Sequence, residues 1–159
     1  MKRILDVHIG EVKVAKQGET LKAILGSCVG IGLIWRERQI CGLAHCLLPE
    51  SPKKSFAIDG RFVDQALKSL LVLMRIRPEN YSSIEVVLAG GGNMTVADAT
   101  IAGELIGERN TSVALREIKG LGLKIIHQEI GGEVGRRIIL DASDCSYRIE
   151  EIPRLAGTA

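Results

Sequence analysis

The sequence predicts an α+β fold built mainly from antiparallel sheet rather than a doubly wound one. Strand-like runs outnumber helical patterns, and hairpin-length connections outnumber the long crossovers that parallel strands need. Aromatic residues are scarce (Phe 2, Tyr 2, Trp 1) and glycines number 18. Leu, Ile, Val and Ala must therefore fill the core, around a backbone that turns often or is closely approached. A chain of 159 residues fits one domain, 1–159, with a tail over 153–159.

Residues 7–14 alternate in character and predict a strand, as do residues 20–28, which end at Gly26-Ser27-Cys28. Residues 29–35 and 39–48 are apolar on both faces and flank the charged Arg36-Glu37-Arg38, the pattern of a hairpin buried in the core. Residues 49–57 read as a polar loop. Over 60–77, Val63, Ala66, Leu67, Leu70, Leu71 and Met74 recur at three- and four-residue spacing and predict the clearest helix, stopped by Pro78. Residues 84–89 form a β-branched strand followed by a tight turn at Gly90-Gly91-Gly92. Residues 94–105 read as a loop with a short helix. Asn110 is placed as the N-cap of a helix with apolar positions Val113, Ala114 and Ile118, closed by Gly120. Residues 123–130, 135–140 and 146–152 complete the strands, with a turn at Gly131-Gly132.

Charge and composition narrow the function. Lys and Arg (21) nearly balance Asp and Glu (19), for a net charge of +2. Without a basic stripe or aromatic platforms, nucleic acid is not the expected partner. No apolar run reaches the ~18–20 residues of a membrane span, and Met1–Asp6 lacks the apolar stretch of a secretory signal. The expectation is a cytoplasmic protein with reduced thiols and no membrane insertion. Cys28, Cys41, Cys46 and Cys145 are too few and irregular for a disulfide scaffold. Cys41, His45 and Cys46 lack zinc-site spacing, so neither metal nor cofactor is expected.

The predicted hairpin brings two reactive side chains together. With a two-residue turn at Arg36-Glu37, opposing residues sum to 73, and Cys28 opposes His45. Directly opposed residues have Cβ atoms ~4.5–5.5 Å apart, close enough for an imidazole to take a thiol proton. A turn centred half a step later opposes Cys28 with Cys46 instead. Free cysteines more often pack as small hydrophobes, and a histidine on an apolar strand is often a hydrogen-bonded core residue. The small residues Gly26 and Ser27 before the sulfur allow close approach by a substrate, and backbone N–H groups there suit an oxyanion.

Leu25-Gly26-Ser27-Cys28-Val29, followed by Ala44-His45-Cys46-Leu47-Leu48-Pro49-Glu50-Ser51, resembles the CheD family, chemoreceptor glutamine deamidases of bacterial and archaeal chemotaxis. Leu88-Ala89-Gly90-Gly91-Gly92-Asn93-Met94, Ile106-Gly107-Glu108-Arg109-Asn110 and Gly131-Gly132 extend the resemblance over roughly residues 9–152. It implies a CheD-like cysteine hydrolase fold: two packed, mostly antiparallel β-sheets flanked by helices, similar to the catalytic domain of deamidating bacterial toxins. It also implies a protein-glutamine deamidase in which Cys28 is the nucleophile and His45 the general base. The implied partners are chemoreceptor cytoplasmic helices and the chemotaxis phosphatase CheC, with a CheC- or receptor-binding module of weak or lost catalysis as the alternative function. A methylesterase side activity on receptor glutamate esters would use the same acyl chemistry. The family often carries a threonine six residues before the cysteine as third member of the site. That position is Lys22 here, and the nearest threonine is Thr20, on the same strand face. The third role is thus open between Thr20 and Lys22.

Overall fold

A computed structural model describes residues 2–94, 100–101 and 104–153. Strands β1 (Arg3–Asp6), β2 (Val12–Ala15) and β3 (Glu19–Leu25) lead into the hairpin of β4 (Val29–Trp35) and β5 (Ile40–Cys46). Helix α1 (Val63–Leu73) and β6 (Ile84–Gly90) follow. A short pair, β7 (Thr100–Ile101) and β8 (Glu104–Leu105), precedes helix α2 (Ile106–Gly120), and β9 (Lys124–Ile130), β10 (Gly135–Asp141) and β11 (Ser146–Ile152) complete the order. One sheet runs β1-β3-β10-β11 and a second β2-β5-β4-β6-β9. Only β1/β3 and β6/β9 pair in parallel; the other described pairs are antiparallel, as the α+β reading requires. No helix among the described residues is long and apolar enough to cross a membrane.

Strand β4 explains the layering. Its large residues Val29, Ile31, Leu33 and Trp35 share a core with Leu67 and Leu70 of α1 and Val113 and Ile118 of α2. On its other face stand Gly30 and Gly32. A Cβ on either would lie 2.9 Å from a methyl group of Leu25 or Leu140 in the four-stranded sheet. Large residues thus meet the helices, and glycines let the second sheet approach closely enough for Leu21, Leu25, Ile138 and Leu140 to pack in the inter-sheet layer. The result is three layers, with both helices against the outer face of the five-stranded sheet.

Several expected boundaries shift for local reasons. The strand expected over 7–14 is confined to Val12–Ala15, because residues 8–11 form a turn in which the His8 N–H donates to the Glu11 carboxylate at 2.8 Å. The first helix is shorter than 60–77 because Arg75 adopts φ 57° and the Ile76 N–H donates to the Leu71 carbonyl at 2.9 Å, closing the helix before Pro78 is reached. The expected two-residue hairpin turn is a four-residue connection, Arg36–Arg38 in a 3₁₀ turn and Gln39 left-handed at φ 51°. Asn110 is not an N-cap: α2 begins four residues earlier, at Ile106. Its first turn packs against the Gly90–Gly92 loop, and a Cβ on Gly107 would lie 2.5 Å from the Gly91 carbonyl oxygen. The loop and short helix expected over 94–105 lie partly outside the described residues; within them, 100–101 and 104–105 are strands rather than helix. The tail beyond residue 153 lies outside them.

Candidate active site

Cys28 ends a short bend between β3 and β4, and its carbonyl and the two before it each accept a hydrogen bond from another element. Gly92 N–H donates to Gly26 O at 3.0 Å, Asn110 Nδ2 to Ser27 O at 3.2 Å, and Gly91 N–H to Cys28 O at 2.9 Å. Gly90 lies so close that a Cβ there would sit 2.1 Å from the Cys28 oxygen. Arg136, buried on β10, donates from Nη1 to Gly90 O at 3.3 Å. The Met94 side chain packs against Gly26 and Gly92. Phe56 is fully exposed, and Trp35 packs in the helix-side core at the far end of β4, so neither aromatic covers the thiol.

His45 lies on β5 facing the inter-sheet layer, and the turn around residues 8–11 wraps its main chain. Gly10 N–H donates to His45 O at 2.8 Å, and His45 N–H donates to Glu11 O at 3.0 Å. Ring Nδ1 lies 2.9 Å from the Val7 carbonyl oxygen. A carbonyl can only accept, so Nδ1 carries the hydrogen and Nε2 of the neutral ring presents a lone pair. Burial lowers the imidazole pKa below its ordinary value, against the smaller raising effect of the Val7 carbonyl. The ring is therefore neutral at pH 7, with Nε2 free of hydrogen. His45 also lines a groove of about 610 Å³ with Asp6, Val7, Ile9, Lys22 and Ile24.

The register differs from the expected sum of 73. Val29 pairs with Cys46 and Gly30 with His45, a sum of 75, because the connection holds four residues rather than two. The shift is an even number, so Cys28 and His45 keep the same sheet face, now as diagonal neighbours. No hydrogen bond joins thiol and imidazole. Burial pushes the Cys28 thiol pKa up, while its own backbone N–H favours the thiolate.

Of the two residues considered for the third role, Thr20 lines a separate depression of about 420 Å³ on the four-stranded sheet, with Lys2, Asp141 and Tyr147. Lys22 borders both depressions, its Nζ 3.6 Å from Asp6. On β3 the residues turned toward the inter-sheet core are Leu21, Ala23 and Leu25. The group that orients His45 is the Val7 carbonyl, and Val7 N–H in turn donates to Lys22 O at 2.7 Å. Position 22 therefore reaches His45 through its main chain, a link that no side-chain pattern announces.

Residues 47–151 match the family model described as CheD chemotactic sensory transduction. The chain belongs to the CheD family. A protein named "Probable chemoreceptor glutamine deamidase CheD 2" from Ruegeria sp. (strain TM1040) is 42% identical over 170 residues, covering 97% of this chain and 95% of that protein. A "Probable chemoreceptor glutamine deamidase CheD" from Bdellovibrio bacteriovorus is 36% identical, covering 94% of this chain and 96% of its own. Another from Methanococcus maripaludis (strain C6) is 33% identical over 93% of this chain and 95% of its own. In this CheD chain the Gly-Ser-Cys bend and the Ala-His strand meet at one end of the inter-sheet layer.

The tight turn read from sequence at Gly90–Gly92, expected near the active site, lies beside Cys28, and Asn110, read from sequence as a helix cap, also reaches it. A signal for Asn110 existed: it stands three and four residues before Val113 and Ala114, a polar residue on the apolar stripe of α2.

Proposed function

We propose that this chain deamidates specific glutamines on the cytoplasmic helices of chemoreceptors, converting them to glutamates in chemotaxis adaptation. The names of its relatives support the reading. The observation that carries it is a thiol and an imidazole on one sheet face, with the imidazole tautomer fixed so that Nε2 can accept a proton. In the resting site the thiol and the ring are both neutral, so the proton moves during attack. His45 Nε2 takes the Cys28 proton as sulfur bonds to the side-chain amide carbon of glutamine, and the carbonyl oxygen becomes an oxyanion. The Cys28 N–H, with Ser27 and Gly26 giving close access, stabilises that charge. The imidazolium then protonates the leaving nitrogen, the C–N bond breaks, and ammonia departs from a Cys28 thioester. Water, deprotonated by His45, attacks the thioester, and the C–S bond breaks to release glutamate and the free thiol. The Val7 carbonyl holds the ring throughout and takes the orienting role. No step calls for a cofactor.

The test is incubation of the whole chain with a chemoreceptor cytoplasmic fragment, following ammonia and the ~1 Da mass gain of each amide-to-acid conversion. Cys28→Ala and His45→Ala should both abolish release while leaving the fold intact. Full activity in Cys28→Ala rules the mechanism out. Binding of CheC by a wild-type chain that releases no ammonia would support the regulatory role instead.

A further inference from the structure

We propose that Asn110 is a positioning residue for Cys28, its buried amide tying together the main chain beside the thiol and beside His45. This rests on the deamidase reading above. Asn110 is 0% exposed within α2. Its Nδ2 donates to Ser27 O at 3.2 Å and to Leu47 O at 3.0 Å. Ser27 immediately precedes Cys28, and Leu47 follows His45 by two residues, so one side chain joins the β3–β4 bend to the end of β5. The amide cannot be turned over, because Oδ1 would then face two carbonyl oxygens. Neither bond serves the helix, which has its own start at Ile106.

A second observation shows that packing alone does not account for the residue. Asn110 Oδ1 is buried without a hydrogen-bond partner among the described residues. An apolar side chain on this stripe would avoid that unfavourable burial, whereas asparagine accepts it and supplies two donors to the loops that carry the dyad. The same bend is held from its other side by Gly91 N–H on Cys28 O. Losing the Asn110 bonds frees the Ser27 carbonyl to rotate, and the Cys28 N–H of the same planar peptide unit turns with it. Misplacement of a reacting group by about 1 Å can cost ~100-fold in rate.

The experiment compares wild type, Asn110→Asp, Asn110→Ser and Ile118→Val, the last a core change in the same helix remote from the bend. Each full-length protein is measured for kcat and KM of ammonia release from a chemoreceptor fragment. Each is also measured for its thermal midpoint and for Cys28 alkylation by iodoacetamide against pH, located by peptide mass mapping. Asn110→Asp should lower kcat at least ~10-fold with KM within about twofold, and should displace the pH profile of Cys28 alkylation. Asn110→Ser, which retains one donor, should fall between, and Ile118→Val should lower the midpoint without either effect. The proposal is overturned if the Asn110 variants change kcat and alkylation no more than Ile118→Val does. Should Asn110→Asp not fold, Asn110→Ser decides by the same criterion. Alkylation needs no receptor: a wild type that releases no ammonia but shows Asn110-dependent alkylation refutes the deamidase reading and keeps the positioning role.

Discussion

Replacing Gly90 with alanine would probe how firmly the Cys28 bend is built. Gly90 sits at φ 106°, where an L side chain is strained by roughly 1–2 kcal/mol. The new Cβ would lie 2.1 Å from the Cys28 carbonyl oxygen and 3.2 Å from the Cys28 carbonyl carbon and Val29 Cα. All three are main-chain atoms, so relief requires β4 to shift, an overpacking cost of about 1–3 kcal/mol. Together these give ~2–5 kcal/mol, and at roughly 2–4 °C per kcal/mol for a chain of this size the midpoint should fall by about 4–20 °C. Two further glycines separate the contributions. Gly18 has φ 89° with nothing within 4 Å of an added Cβ, so Gly18→Ala reports backbone strain alone. Gly120, at the end of α2, has open space and no positive φ, so Gly120→Ala should be neutral or gain up to ~1 kcal/mol. Thermal unfolding followed by circular dichroism in one buffer ranks the three. A Gly90→Ala midpoint no lower than that of Gly18→Ala would refute the steric account.

Stability should fall on both sides of neutrality. The folded pKa of His45 is lowered by burial, so its contribution is complete above its ordinary value of about 6.5 and is lost as pH falls through the folded value. Cys28 is raised by burial, so its contribution is complete below the ordinary thiol range of about 8.5–9 and is lost as pH rises toward the folded value. Urea midpoints across pH check both, and His45→Gln should flatten the acid limb. Lys22→Thr should change kcat by less than about threefold, since the Lys22 side chain pairs with Asp6 and its main-chain carbonyl survives the substitution; a large gain would return the third role to a side chain at position 22. In alkylation at rising pH, Cys28 should react before Cys41, whose thiol is pushed up to about 12 by burial and by the neighbouring Cys145, and before the wholly buried Cys46.

The strands and helices were legible wherever a single periodicity ruled. The stripe of α1, the doubly apolar β4 and β5, and the strands from β9 onward all appear where expected, within a few residues. The hairpin register was not legible, because it depends on a left-handed Gln39, and Arg-Glu-Arg-Gln is no recognised turn pattern. The face shared by Cys28 and His45 survived only because the shift was even. Asn110 resembled a cap because asparagine favours helix starts, but the close approach of Gly107 to Gly91 sets the start of α2 earlier. The group that orients His45 left no trace in the pattern, since every residue has a carbonyl.

The sheet order also bears on how copies of the chain avoid one another. Among the described residues, the two large sheets end in the edge strands β1, β11, β2 and β9, whose outward backbone groups are templates for intermolecular pairing. Each carries a cation, Arg3, Arg148, Lys13 and Lys124; of the interior strands, β4 and β5 carry no charged residue, whereas β3, β6 and β10 do. With a net charge of only +2, overall repulsion between molecules is weak. Colloidal stability therefore depends on where these few charges sit, and a basic-to-aliphatic change at an edge would promote self-association far more than the same change on a helix surface.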